Sequence, residues 1–145
     1  MNGDDTADSP DVAGTGDVTL DHVGVATDDL DALADQYAEL LGCPVAHRET
    51  FDGMAVAFLD FENSYFELLE PLASEGAIAR YLDRNGPGIH HVALATDDIE
   101  GALETARERG VELIDEEPRD GAWGHDVAFL HPKSTGGVLL EFVQH

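Results

Sequence analysis

The chain has 145 residues, one cysteine, 43% hydrophobic residues and a formal charge of −24, from 7 Lys+Arg against 31 Asp+Glu. That length holds one domain, or two small modules sharing a core, and the charge excludes nucleic acid and anionic membranes, which require an electropositive footprint. Cys43 alone forms no intramolecular disulfide, and neither a basic leader nor a run of about 18 apolar residues is present, so a soluble, untargeted protein of a reducing cytoplasm is expected. The hydrophobic content is too high and too clustered for a disordered acidic chain. An acidic shell on a folded domain is expected instead, a composition typical of proteins that work in molar salt, and Lys133 as the only lysine fits it.

Residues 1–17 place Asp4, Asp5, Asp8, Asp11 and Asp17 among small polar residues and read as a disordered tail. The β-rich run Leu20 to Ala26 follows. Asp28 or Asp29 can then cap a helix whose apolar positions Leu30, Leu33, Ala34, Tyr37, Leu40 and Leu41 keep helical spacing until Gly42 stops it. Strands are predicted at about 44–50, 54–61 and 64–69, with turns at Asp52-Gly53 and Glu62-Asn63. A linker, about 73–87, carries a short helical stretch from Ala77 to Arg84. The order then recurs: the stretch from His91 to Asp98 matches that from His22 to Asp29 at an offset of 69. A second helix is predicted from Ile99 to Arg109, ended by Gly110, with strands at about 111–116, 126–131 and 137–143. The repeat implies an α+β fold of two tandem βαβββ modules, about 18–72 and 88–145.

Each module carries one His on its first strand and one Glu on its last. Strand alternation puts His22 on a face with Gly24 and Ala26, opposite Val23 and Val25, and His91 on a face with Ala93 and Ala95. Glu67 and Glu141 each interrupt an apolar strand, where a carboxylate is costly unless paired or metal-bound. Two imidazoles and two carboxylates suit a divalent cation such as Co²⁺, Mn²⁺, Ni²⁺ or Zn²⁺. The alternative is a pair of satisfied core histidines with two solvent-facing glutamates, but chance would have to place the same residue types twice in register. By the same alternation His90 should face away from His91. His47, His125 and His145 have no counterpart in the repeat, and His131 can line a site mouth or simply end a strand. Cys43 has no His or Cys at ligand spacing, and no phosphate-binding glycine loop is present.

The paired modules with His22, Glu67, His91 and Glu141 resemble the vicinal oxygen chelate superfamily. The stretches Leu68-Leu69-Glu70-Pro71-Leu72, Gly88-Ile89-His90-His91-Val92, Asp115-Glu116-Glu117-Pro118-Arg119, Phe129-Leu130-His131-Pro132-Lys133-Ser134 and Gly137-Val138-Leu139-Leu140-Glu141 look like those of the methylmalonyl-CoA epimerase family. The resemblance covers about residues 18–145. It implies a curved mixed sheet around a metal site, a homodimer, and interconversion of (R)- and (S)-methylmalonyl-CoA by proton transfer at the α-carbon through a metal-stabilised enolate. It also implies that Glu141 is both ligand and acid/base, with Co²⁺ as the expected ion. In bacterial members a second Glu stands three residues past the Gly of a turn. Here Val56 occupies that place, and Glu49, expected opposite Ala55 or Val56 across the hairpin, is the candidate to replace it. Lys133 is the candidate to meet a CoA phosphate. The rival functions are a glyoxalase I-type lyase, an extradiol-type dioxygenase, which the second carboxylate disfavours, and a non-enzymatic small-molecule binding protein of the same fold.

Overall fold

In a computed structural model the described residues are 18–145, so the expected acidic tail, residues 1–17, lies outside them. β1 (Thr19–Ala26) runs into α1 (Leu30–Leu41), which is followed by β2 (Val45–Phe51), β3 (Met54–Asp60) and β4 (Tyr65–Pro71). After α2 (Ala77–Asn85), the order repeats as β5 (Gly88–Ala95), α3 (Ile99–Glu108), β6 (Arg119–Asp120), β7 (Asp126–Phe129) and β8 (Leu140–Gln144). The eight strands form one curved mixed sheet in the order β2-β3-β4-β1-β5-β8-β7-β6. At its centre β1 and β5 run antiparallel, and each pairs in parallel with the last strand of its own half, β4 or β8.

Both long helices begin in the same way. The Asp29 side chain accepts from Ala32 N at 3.1 Å and that of Asp98 from Gly101 N at 2.9 Å, each satisfying a helix-start amide that has no partner within the helix. The next orphan amides reach across to the sheet: Leu30 N donates to Glu70 Oε1 at 2.8 Å, and Ile99 N to Gln144 Oε1 at 2.9 Å. Glu70 and Gln144 each lie three residues past the Glu of their strand, so β4 and β8 fasten the helices as well as presenting those carboxylates. Gly42, at φ 69°, ends α1 in the left-handed region that glycine adopts without penalty.

α1 covers one face of the first half, where Val25, Ala57, Leu59 and Leu68 are buried with Val23 packed beside them, the face alternation had predicted. Burying a side chain the size of Leu59 or Leu68 contributes on the order of 1.5–3 kcal/mol. Cys43 is buried in the same cluster. α3 does the equivalent work over Ala128 and Leu130. On the opposite, concave face, Ala26, Val56, Phe58 and Leu69 pack against Ile78 of α2.

One predicted strand differs. Residues 111–116 form no regular strand; they touch the sheet by an isolated bridge between Leu113 and Leu130, and the paired segment is the two-residue β6. The reason is a side chain competing with the backbone: Asp115 Oδ2 accepts from Phe129 N at 2.8 Å while Phe129 O accepts from both Ile114 N and Asp115 N. Pro118, which has no amide hydrogen, then separates this irregular contact from β6.

Candidate metal centre

Two alternate rungs of the sheet, whose side chains share a face, carry the site. On one, Glu67 of β4, Gly24 of β1 and His91 of β5 stand side by side; on the other, beyond the rung of Val23 and Val92, stand His22 of β1, Ala93 of β5 and Glu141 of β8. Each rung sets a small residue between an imidazole and a carboxylate, which leaves room for the two functional side chains to lean together. At Gly24 the room is fully used: a Cβ there would stand 2.1 Å from His91 Cε1.

The four side chains meet on the concave face and are all buried. His22 Nε2 and His91 Nε2 are 3.3 Å apart. Glu67 Oε1 lies 3.1 Å from the first and 3.3 Å from the second, and Glu141 Oε1 repeats the same two distances. The donors of His22, Glu67 and His91 all fall within 4.8 Å of one another. Ligands sharing one ion at bonds of about 2.0–2.3 Å stand about 3–3.5 Å apart, which is the spacing found. Glu141 Oε1 supplies a second sign of fit. It is buried and close to two imidazoles, yet accepts a hydrogen bond from neither. A buried acceptor left so costs about 1–3 kcal/mol unless a cation satisfies it. The donor set fits a divalent ion.

The electrostatics of the protein alone reflect this crowding. Burial works to discharge His22, but the carboxylates of Asp21, Glu141 and Glu67 outweigh it and push the imidazole up to about 12. Burial likewise opposes the Glu67 charge, and His22 and His91 beside it bring the carboxyl down to about 2. Glu141 is lowered and His91 raised by the same balance.

Strand alternation misplaces His90. Between β1 and β5 the register runs from Gly24 opposite His91 to Val25 opposite Ile89, so His90 is the extra residue of a β-bulge. The bulge turns its side chain toward the site, a common use of bulges, and His90 lines the cavity with His91. Burial, then the neighbouring His91 charge, brings His90 down to about 4. Asp21 is the extra residue of a second bulge, between Leu20 and His22. Alternation thus put His90 on the wrong face, and Asp21 drew no notice, although each stands immediately before a repeat histidine. His145, set aside for want of a counterpart in the repeat, has its Nε2 donating to Asp21 Oδ1 at 2.5 Å.

Glu67, His91 and Glu141 line a cavity of about 360 Å³, walled also by Leu69, Ile78, Ala79 and Phe129 and with Arg119 at its edge, while His22 lies behind them, outside the lining. Arg119 pairs with Asp115 at 3.0 Å and lies over the Phe129 ring. Neither Lys133 nor His131 lines the cavity; the Lys133 amide donates to His131 Nδ1 at 3.1 Å. Glu49 is opposite Val56, as predicted, but its carboxylate accepts from Trp123 N and meets His47 Nε2 at 3.2 Å, outside the cavity lining. His47 in turn stacks flat on Trp123, with ring centroids 4.5 Å apart.

Residues 21–129 match the glyoxalase/bleomycin resistance protein/dioxygenase superfamily. The chain is 39% identical over 125 residues to the mitochondrial methylmalonyl-CoA epimerase of Dictyostelium discoideum, covering 84% of this chain and 75% of that one. It is 40% identical over 129 residues to the ethylmalonyl-CoA/methylmalonyl-CoA epimerase of Cereibacter sphaeroides, covering 86% and 96%. Among solved structures, a methylmalonyl-CoA epimerase in complex with methylmalonyl-CoA and NH4+ superposes with a TM-score of 0.83 at 38% identity, covering 88% of this chain and 94% of that one. The methylmalonyl-CoA epimerase of Mycobacterium tuberculosis gives a TM-score of 0.83 at 37% identity, covering 87% of each.

Proposed function

The chain belongs to the glyoxalase/bleomycin resistance protein/dioxygenase superfamily and, within it, to the methylmalonyl-CoA epimerases, and from that premise we infer that it interconverts (R)- and (S)-methylmalonyl-CoA. The observation that carries this reading is the convergence of His22, Glu67, His91 and Glu141, the last three of which line a cavity. These four residues hold a divalent metal ion, and Co²⁺ is the ion to test first. When bound, the ion supplies Lewis-acid stabilisation of the negative charge that develops on the thioester oxygen as the α-proton leaves.

The chain's own part is proton transfer and enclosure. Glu141 is the acid/base: burial disfavours its charge, but His22 and His91 keep the carboxyl below its usual range, so it stands ionised and ready to accept. The α-carbon's C–H bond breaks, the proton passes to the Glu141 carboxylate, and the electron pair delocalises into the thioester carbonyl. The carbon is then planar, and a proton donated to its opposite face by water entering the cavity inverts the configuration, while Glu141 returns its proton to solvent. Leu69, Ile78 and Phe129 keep the reacting carbon in apolar surroundings, where charge–charge interactions are stronger than in water. Arg119, at the cavity, is better placed than Lys133 to meet the anionic substrate. The same reading extends to a homodimer in a cytoplasm of high salt, which light scattering of the purified protein in molar KCl tests directly.

The deciding experiment supplies (R)-methylmalonyl-CoA to the Co²⁺-loaded protein in deuterated high-salt buffer and follows α-proton exchange and inversion. Both are expected, and both should vanish in Glu141→Gln. No exchange in a protein that binds Co²⁺ sinks the epimerase reading, and turnover of a hemithioacetal instead would favour the glyoxalase I-type alternative.

A further inference from the structure

Each central imidazole turns one nitrogen to the donor cluster and the other away from it, and what the outer nitrogen meets is the residue just before it in the chain. His22 Nδ1–H donates to Asp21 Oδ2 at 2.7 Å. His91 Nδ1 lies 3.0 Å from His90 Nδ1. Asp21 and His90 are the two bulge residues of the β1–β5 pairing, so one backbone device is used twice, once in each half of the molecule. Asp21 is itself buried, and its second oxygen accepts from His145 Nε2 at 2.5 Å.

A neutral imidazole has one bare nitrogen, and a partner that accepts at Nδ1 fixes which nitrogen that is. Asp21, as a carboxylate, can only accept, so when His22 gives up one proton to become neutral it keeps the other on Nδ1 and bares Nε2. At His91 two Nδ1 atoms face each other, and a hydrogen bond between them needs a proton on one alone. An Nε2 that is to bind an ion must be bare, so His91 donates from Nδ1 and His90 accepts, keeping its own proton on Nε2. We propose that Asp21 and His90 are positioning residues that hold His22 and His91 in the Nδ1–H tautomer with Nε2 aimed at the metal, and that His145 fixes Asp21 in turn. The proposal rests on the metal-binding reading of the cluster. The two sides differ in strength, because Asp21 accepts with a full charge and His90 with a neutral ring.

The test is Co²⁺ affinity of the metal-stripped protein, measured by competition with a chromophoric chelator, with thermal melting as the check on folding. Asp21→Ala and His90→Phe are expected to bind about 10- to 100-fold more weakly than the parent, Asp21→Ala suffering the larger loss. Asp21→Asn retains an acceptor oxygen and should recover part of it. Long-range proton–nitrogen spectra of the Zn²⁺-loaded parent should show both imidazoles protonated at Nδ1, and a bare Nδ1 on either ring would overturn the tautomer assignment. A parent that takes up no Co²⁺ overturns this proposal and the metal reading together. A parent that binds, alongside Asp21→Ala and His90→Phe of equal affinity, overturns the positioning role alone. Should Asp21→Ala fail to fold, Asp21→Asn and His145→Phe carry the test, since the His145 ring is half exposed. Parental affinity in both would then overturn the proposal.

Discussion

Four ionisable groups within 3.3 Å contacts cannot titrate as they do in water. In the metal-free protein His22 is raised to about 12, above its unfolded value of about 6.5. Its stabilising contribution is therefore complete below pH ~6.5 and fades as pH rises toward the folded value. Glu67, lowered to about 2, contributes above about pH 4.5 and loses that contribution as pH falls through the folded value. An ion must displace the imidazole protons to bind, so metal uptake at pH 7 should release protons and tighten as pH rises. Calorimetry in buffers of different ionisation enthalpy counts those protons. Uptake with no proton release would mean that the imidazoles are already neutral and that the carboxylates do not hold them charged.

At the scale of strands, the site depends on which residues share a rung. Gly24 lies between Glu67 and His91, and a methyl group there would occupy the space of the His91 ring. Gly24→Ala should therefore weaken Co²⁺ binding by at least ~10-fold while β1, an extended strand that alanine tolerates, keeps its pairing. Unchanged affinity would show that His91 can move aside and still coordinate. The same elements mark what the sequence disclosed. His22, His91, Glu67 and Glu141 were legible because the repeat printed each residue type twice and because a carboxylate inside an apolar strand needs a reason. His90 was not, since period-two alternation assumes an unbroken ladder and a single bulge residue reverses the face. The segment 111–116 was misread as a strand for a related reason: its apolar residues do touch the sheet, but the Asp115 carboxylate takes the Phe129 amide that a ladder would use. Periodicity reports which residues are buried and is silent about side chains that replace backbone partners.

Over the whole molecule, the charge of −24 is arranged as well as abundant. Asp31, Asp35 and Glu39 line the exposed side of α1 at four-residue spacing, and Glu100, Glu104 and Glu108 do so on α3. Like charges at that spacing disfavour a helix by about 0.2–0.5 kcal/mol per pair, and among the described ion pairs each ladder has one cation against it, Arg48 at 2.9 Å from Asp31 and Arg107 at 3.1 Å from Glu104. Salt shortens the range of this repulsion from about 10 Å at 0.1 M to about 3 Å at 1 M. The melting temperature should therefore climb steadily across that range in KCl, followed by circular dichroism; a flat or falling midpoint would count against adaptation to high salt. The way the centre is assembled has one more consequence, for synthesis on the ribosome. Asp21 and its partner His145 are separated by 124 positions, and Glu141 comes almost as late. The amino-terminal half, while it alone has emerged, carries only His22 and Glu67, half of the cluster. Tight metal capture is deferred until β8 has been made and laid beside β5, so an ion in the cell meets either a growing chain that holds it poorly or a finished centre.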